Sequence, residues 1–182
     1  MFRALYKHGL LYADPHPGNY RFLGGAKVAF LDFGCVKALP PSLVAGMKRY
    51  VVAAQDDNWP EFYAACAEVL GYDPDDKEGW QLYTDYTKMI LEPLAIDAPF
   101  THSHERAREA IAYLVRNGRK IVFRPDEALP NLPKPIHMPT DHTFVNRLQW
   151  GLSSVMAGLG STANWRRITE PWLRGPYIPP PR

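Results

Sequence analysis

Residues 11–19 read LYADPHPGN, and residues 30–34 read FLDFG. The first stretch contains two prolines and a glycine directly after Asp14, and this spacing is incompatible with a regular helix or strand. It therefore predicts a loop whose backbone is tightly restricted. The second stretch places an aspartate directly after a run of apolar residues.

The segment between these stretches predicts a β-hairpin. Residues 20–23 and 27–31 are short strand candidates, and residues 24–26, Gly-Gly-Ala, suit a tight turn because glycine accepts positive φ angles. A hairpin of this length folds the chain back on itself. We therefore expect Asp32 to return towards the loop that carries Asp14.

Three oxygen-bearing side chains then meet at one point: Asp14, Asn19 and Asp32. Two carboxylates and an amide oxygen suit a hard divalent cation such as Mg²⁺, whereas the same carboxylates without a cation repel each other. Pro15 keeps Asp14 out of the helical region, and Gly18 permits the turn that brings Asn19 back towards Asp14. The sequence predicts a stiff, oxygen-rich site of the kind that positions reacting groups.

Composition excludes several other classes of protein. The chain has 182 residues, with 21 Lys plus Arg against 19 Asp plus Glu, so the net charge of +2 argues against a nucleic-acid partner held by a basic field. Hydrophobic residues make up 46%, which excludes overall disorder. No apolar run is long enough for a membrane-spanning helix, and two isolated cysteines support neither a disulfide framework nor a zinc site.

The rest of the chain predicts about five helices, so the expected fold class is mostly α with a small β-hairpin (α+β). Gly9 is expected to end a first helix. Further helices are expected to begin near Ser42, Asn58, Asp75 or Asp76, Ser103, and Asp141 or Thr143. Prolines concentrate in residues 125–139 and 176–181, which we expect to be extended connectors.

The order of the motifs is that of phosphoryl-transfer enzymes of the protein-kinase type, in which a catalytic-loop aspartate precedes a metal-binding asparagine by five residues and a later DFG supplies the second metal ligand. YADPHPGN followed by FLDFG resembles the UbiB/AarF/ADCK family of atypical kinase-like proteins, above all through the proline directly after the aspartate. Residues 139–165, PTDHTFVNRLQWGLSSVMAGLGSTANW, look like the last helical part of bacterial members.

The resemblance implies a role for each motif residue. Asp14 is the expected catalytic aspartate, which orients or deprotonates the phosphoryl acceptor. Asn19 and Asp32 are expected to hold Mg²⁺ against the phosphates of ATP, and Phe33 and Gly34 to form the pivot behind the metal ligand. Tyr12 stands where many members have histidine, and a phenol can still stack and hydrogen-bond.

The resemblance also implies a division of the chain. Residues 1–160 correspond to a protein-kinase-like C-terminal lobe, with the catalytic loop at 12–19 and DFG at 32–34, and residues 161–182 to a tail rich in proline and arginine. In the family the nucleotide-binding half precedes the catalytic loop and carries a Lys-x-Gly-Gln motif, which this chain lacks. We therefore expect a C-terminal lobe without its N-terminal lobe, which missing sequence or another chain would supply. ATP turnover by the isolated chain is not expected.

Three functions follow as alternatives. The first is part of a UbiB-like kinase or ATPase that uses Mg²⁺ and ATP, supports quinone-lipid biosynthesis, and is cytoplasmic, with peripheral lipid contact through its arginine-rich tail as one option. The second is a non-catalytic pseudokinase fragment or binding module. The third is a small-molecule phosphotransferase of the aminoglycoside or choline type, whose HGDxHPGN loop differs at Ala13 and Pro15.

Overall fold

The computed structural model describes residues 1–25, 27–122 and 140–180. Within these ranges the chain is mostly helical and carries three small antiparallel sheets. The helices are Phe2–His8 (α1), Pro41–Gln55 (α2), Trp59–Leu70 (α3), Lys77–Ala95 (α4), His104–Val122 (α5), Thr140–Gly158 (α6) and Trp165–Leu173 (α7). The strands are Leu10–Tyr12 (β1), Tyr20–Leu23 (β2), Lys27–Phe30 (β3), Val36–Ala38 (β4), Phe100–Thr101 (β5) and Thr162–Ala163 (β6).

The core is centred on α2 and α3, which pack against each other. Met47 and Val51 of α2 and Phe62 of α3 are fully buried. Gly46 allows close approach, because a Cβ at this position would overlap the side chain of Val69. Helices α1, α4, α6 and α7 add apolar side chains to the same core.

Several helix ends follow the signals in the sequence. The side chain of Asn58 accepts a hydrogen bond from the amide of Glu61 at 3.3 Å, and that of Asp76 accepts one from Gly79 at 3.1 Å. Gly9 and Gly71 end α1 and α3 in the left-handed region, with φ of 64° and 69°. The predicted boundaries at Gly9, Asn58 and Asp76 are confirmed.

Two of the small sheets are consecutive in the chain, because the β2–β3 hairpin lies between strands β1 and β4. Strands β1 and β4 pair with Tyr12 opposite Val36, and strands β2 and β3 pair with Tyr20 opposite Phe30. The predicted hairpin is thereby confirmed. The segments that connect the two sheets, residues 13–19 and 31–35, must therefore run past each other.

The segment after residue 160 is ordered around a strand and a helix. Strand β6 pairs with β5, and α7 packs on α1, α2 and α4. The guanidinium of Arg166 donates to the backbone oxygens of Gln55 and Ala95 at 2.7 and 3.0 Å, which joins α7 to the ends of α2 and α4. Beyond α7 the amide of Ile178 donates to the oxygen of Lys7 at 2.7 Å, so the segment around Ile178 lies beside α1.

Some expectations were wrong. The described residues hold seven α-helices rather than about five, and the stretch 11–19 contains the end of β1 and a short 3-10 helix, Pro17–Asn19. The proline-rich stretch 125–139 lies outside the described residues. In the ranges that the structure describes, no helix has the length and apolar character needed to cross a bilayer.

Candidate functional site

The two segments that connect the sheets, residues 13–19 and 31–35, are joined to each other by a backbone hydrogen bond at each end. At one end the amide of Ala13 donates to the oxygen of Cys35 at 2.8 Å, and at the other the amide of Leu31 donates to the oxygen of Asn19 at 2.9 Å. Each bond extends one of the two strand ladders by a residue. Asp14 and Asp32 lie just inside these bonds, one in each of the two facing loops, which we call the Asp14 loop (residues 13–19) and the Asp32 loop (residues 31–35).

Within the Asp14 loop, Asn19 binds Asp14 directly. The Nδ2 group of Asn19 donates to Oδ2 of Asp14 at 2.8 Å and to the backbone oxygen of Asp14 at 3.2 Å. Since the amide nitrogen is used in this way, the Oδ1 atom of Asn19 is the end left to accept from, or bind to, a ligand.

His16 and Gly18 give the Asp14 loop its shape. The Nδ1 atom of His16 accepts a hydrogen bond from the amide of Gly18 at 3.1 Å and caps the 3-10 helix. A Cβ at Gly18 would lie 3.0 Å from that nitrogen, so a side chain there would press on the cap. His16 therefore holds the turn that presents Asn19.

In the Asp32 loop the aspartate binds its own turn. Oδ1 of Asp32 accepts a hydrogen bond from the amide of Gly34 at 2.7 Å, and a Cβ at Gly34 would lie 3.1 Å from the same oxygen. Phe33 is 65% exposed. Asp32 thus has one oxygen engaged by the backbone and its second oxygen, Oδ2, without a hydrogen bond in the described part of the chain.

The donor set fits a hard cation. Oδ1 of Asn19 and Oδ2 of Asp32 are the oxygens that the hydrogen bonds leave available, and amide and carboxylate oxygens are ligands of Mg²⁺. Such a site keeps water or phosphate oxygens in its other positions. A cluster of three or more His, Cys, Asp or Glu side chains with metal-site geometry is absent from the described residues, so a cation here would rest on few protein ligands.

Tyr12, at the end of β1, belongs to a cluster of aromatic rings next to both loops. Its ring contacts those of Tyr20, Phe30 and Phe33 at centroid distances of 6.3, 5.7 and 6.3 Å, and the residue is 8% exposed. Burial first, and then the charges of Asp14 and Asp32 among others, raise the pKa of the Tyr12 phenol. Both carboxylates therefore lie near the same phenol.

Helix α6 is docked against the Asp14 loop. Pro15 is buried against Gly151, where a Cβ would overlap its ring. In the first turn of α6, Asp141 forms an ion pair with Lys37 of β4 at 2.6 Å. Next to Asp141, burial lowers the pKa of His142 to about 4. These contacts hold α6 in one position relative to both loops.

Arg147 is the residue of this site that sequence reasoning missed. Its Nη2 group lies 3.3 Å from Oδ1 of Asp14, although the two residues are 133 positions apart. Among the described residues, Arg147 is the only basic side chain joined by an ion pair or side-chain hydrogen bond to Asp14, Asn19 or Asp32. No local feature of the sequence connects Arg147 with Asp14, so the contact could not be predicted from it.

The hairpin side of the site is apolar and open. Seven large apolar side chains of the hairpin, the Asp32 loop and the start of β4 are exposed by at least 36%, and we call them the exposed hairpin face: Phe22, Leu23, Val28, Phe30, Leu31, Phe33 and Val36. Phe22, Val28 and Phe30 of this set also line a cavity of about 290 Å³ with mostly apolar walls, which extends between β2, β3, α1, α4 and α6. Apolar surface of this extent is typical of an interaction site.

Comparison with known proteins locates the similarity in the first third of the chain. Residues 1–65 match the model of the ABC1 atypical kinase-like domain. An uncharacterized protein of Synechocystis is 40% identical over 50 residues, which are 28% of this chain and 7% of that protein. The Arabidopsis thaliana protein Activity of BC1 complex kinase 3, chloroplastic, is 47% identical over 38 residues, 21% of this chain and 5% of that protein.

A second uncharacterized Synechocystis protein is 45% identical over 40 residues, 22% of this chain and 10% of the relative. The aligned segments thus span a tenth or less of these curated relatives. The matched residues 1–65 include both loops and both strand pairs of the site. The resemblance indicated by YADPHPGN and DFG is confirmed: over residues 1–65 the chain carries the ABC1 atypical kinase-like domain pattern.

Proposed function

We propose that this chain forms the metal- and phosphate-holding part of an atypical kinase or ATPase that uses Mg²⁺ and ATP. The observation that carries the proposal is the pair of facing loops, in which hydrogen bonds consume Nδ2 of Asn19 and Oδ1 of Asp32 and leave one oxygen of each for a cation. In this site Mg²⁺ would neutralise charge on the phosphates of ATP.

The roles of the chain's own groups follow from their contacts. Asp14 is the acceptor-facing carboxylate, because it lies beside the proposed cation ligand Asn19 and its Oδ1 atom has only the long contact with Arg147 among the described residues. In the reaction, the oxygen of an acceptor hydroxyl or of water bonds to the γ-phosphorus, and the bond to the β,γ-bridging oxygen breaks. ADP leaves with that electron pair, and Asp14 accepts the hydroxyl proton or orients it.

The exposed hairpin face supports a second part of the proposal, which is a partner. We propose that a nucleotide-binding lobe, from further sequence or from another chain, covers Phe22, Leu31 and Phe33, since these side chains flank the site and are 60%, 59% and 65% exposed. Without that lobe the adenine has few contacts, so the 182-residue chain alone is proposed to show no measurable ATP turnover. The family resemblance extends the proposal to quinone-lipid biosynthesis.

Lipid contact through the arginine-rich tail gains little support. Arg167 pairs with Asp97 at 2.7 Å, and Arg174 pairs with Asp56 and Glu170. These guanidinium groups are already engaged with carboxylates of the same chain. The arrangement favours a tail held on the protein.

Mn²⁺ binding by the 182-residue chain tests the proposal, because Mn²⁺ uses the same oxygen ligands and is observed directly by electron paramagnetic resonance. Asp32→Asn is expected to weaken Mn²⁺ binding at least tenfold, which is about 1.4 kcal/mol. Asp57→Asn, which removes an equal charge from an exposed turn, is the matched control and is expected to leave binding unchanged. Equal Mn²⁺ affinity in the two variants would refute the proposed cation site. Robust, Asp32-dependent ATP hydrolysis by the 182-residue chain would refute the proposal that this chain alone is inactive.

A further inference from the structure

Arg147 of α6 occupies a place in the site for which the motif provides no residue. Its side chain is 61% exposed, and its ion pair with Asp14 is long, at 3.3 Å, and uses one of five N–H donors. Its other donors make no hydrogen bond to the described residues. The Arg147 guanidinium therefore contacts Asp14 through one nitrogen, and its other N–H donors are able to bind a second ligand.

The position of Arg147 is fixed by the helix and not by the ion pair. Val145 and Leu148, on either side of it, are buried in the core at 7% and 5% exposure. One turn later Gly151 lies against Pro15, the neighbour of Asp14. The base of the Arg147 side chain is therefore held beside the Asp14 loop on a rigid element, which is the support that a functional side chain requires.

The chemistry of a guanidinium favours an anion as the second ligand. A cation held by Asn19 and Asp32 would offset the negative charge of Asp14 and Asp32, and a phosphate group would then bind beside them without net repulsion. Planar guanidinium groups bind phosphate oxygens through paired N–H donors. Among the described residues, no other basic side chain forms an ion pair with either carboxylate, and Lys37 is paired with Asp141.

We propose that Arg147 is a phosphate-binding residue that contacts the terminal phosphoryl group of the triphosphate. This inference rests on the proposed function and adds to it a residue outside the matched residues 1–65. Without a phosphate, Arg147 pairs with Asp14. When the phosphoryl group draws the guanidinium away, Oδ1 of Asp14 becomes available for the acceptor hydroxyl, so one movement fills the phosphate site and frees the carboxylate.

Inorganic tripolyphosphate with Mg²⁺ tests this without needing adenine contacts or turnover. Isothermal titration of the 182-residue chain is expected to show at least tenfold weaker binding in Arg147→Ala, since a charge-assisted contact contributes about 1.5–3 kcal/mol. Arg147→Lys is expected to recover part of the affinity, because it restores the charge but not the paired donors. Arg108→Ala, on the exposed surface of α5, is the control for loss of one positive charge.

Mn²⁺ binding without phosphate separates the two proposals. Arg147→Ala is expected to bind Mn²⁺ at least as tightly as the unmodified chain, since it removes a repelling charge, whereas Asp32→Asn loses Mn²⁺ binding. Equal tripolyphosphate affinity in Arg147→Ala and Arg108→Ala overturns the role of Arg147, as does absence of tripolyphosphate binding by the unmodified chain. Loss of Mn²⁺ binding in Arg147→Ala also overturns it, because that result indicates a purely structural residue.

Discussion

The two sides of the candidate site differ in how they are held. On the α6 side, Pro15 is buried against Gly151, Lys37 is paired with Asp141, and Asp14 contacts Arg147. On the hairpin side, Phe22 and Phe33 are at least 60% exposed. The α6 side is packed against the folded core. On the hairpin side the two strands are hydrogen-bonded to each other, but their large apolar side chains are exposed.

This difference indicates that the two loops have different sources of rigidity. The Asp14 loop is supported by a helix that arrives from the far end of the sequence. The Asp32 loop is supported by its own backbone turn at Gly34 and by Tyr12 beneath Phe33. Substitutions on the α6 side should therefore change the free energy of unfolding, and substitutions on the hairpin side should change what the surface binds.

The largest expected effect is overpacking at Gly151. Gly151→Leu places a side chain where Pro15 already lies, so it should lower the free energy of unfolding by about 3 kcal/mol, as measured by urea denaturation. Gly158→Leu is the matched control on the same helix, because nothing lies within 4 Å of a Cβ there. Equal effects of the two variants would show that α6 is not docked on the Asp14 loop.

The next effect is a pH dependence on the same side. Burial lowers the pKa of His142 to about 4, whereas the unfolded residue titrates near 6.5. Below pH 6.5 the unfolded chain binds a proton that the folded chain binds only near pH 4, so acid favours unfolding in this window. From pH 7 to pH 5 the contribution of His142 to the free energy of unfolding should fall by about 2 kcal/mol.

His142→Gln should remove this part of the pH dependence, whereas His104→Gln, at an exposed position of α5, should not. Urea titrations of both variants at pH 7 and pH 5 give the comparison. If the slope against pH is the same in His142→Gln as in the unmodified chain, the first turn of α6 is not buried as described.

The smallest expected change in stability is on the hairpin side. Phe33→Ser should alter the free energy of unfolding by less than about 0.5 kcal/mol, because the side chain is 65% exposed. It should nevertheless reduce binding of the apolar dye ANS, since it removes part of the exposed hairpin face. Ile168→Ser, 49% exposed on α7, is the control, and an equal loss of dye binding in both variants would refute a localised patch.

Sequence reasoning succeeded where the determinants are local. The β2–β3 hairpin pairing, the cap at Asn58 and the left-handed Gly9 depend on neighbouring residues and φ angles alone. The oxygen-rich motif was also readable, because the prolines and Gly18 restrict its backbone. These features place Asp14 beside Asn19 without reference to the rest of the fold.

Sequence reasoning failed where pairing is long-range. Strands β1 and β4 have three residues each, too few for an alternating pattern, and their register is set by the chain around them. The contact of Arg147 with Asp14 crosses 133 positions, and only the packing of α6 brings the two residues together. The resemblance assigned roles within 12–34 and provided none for α6.

Residue-resolved paramagnetic broadening by Mn²⁺ tests the central claim most directly, because it locates the ion on the chain. In the amide NMR spectrum, Mn²⁺ at low occupancy should broaden signals of both the Asp14 loop and the Asp32 loop, and Asp32→Asn should abolish the effect in both. Broadening of one loop alone, or of acidic surfaces elsewhere, would contradict a cation shared between Asn19 and Asp32.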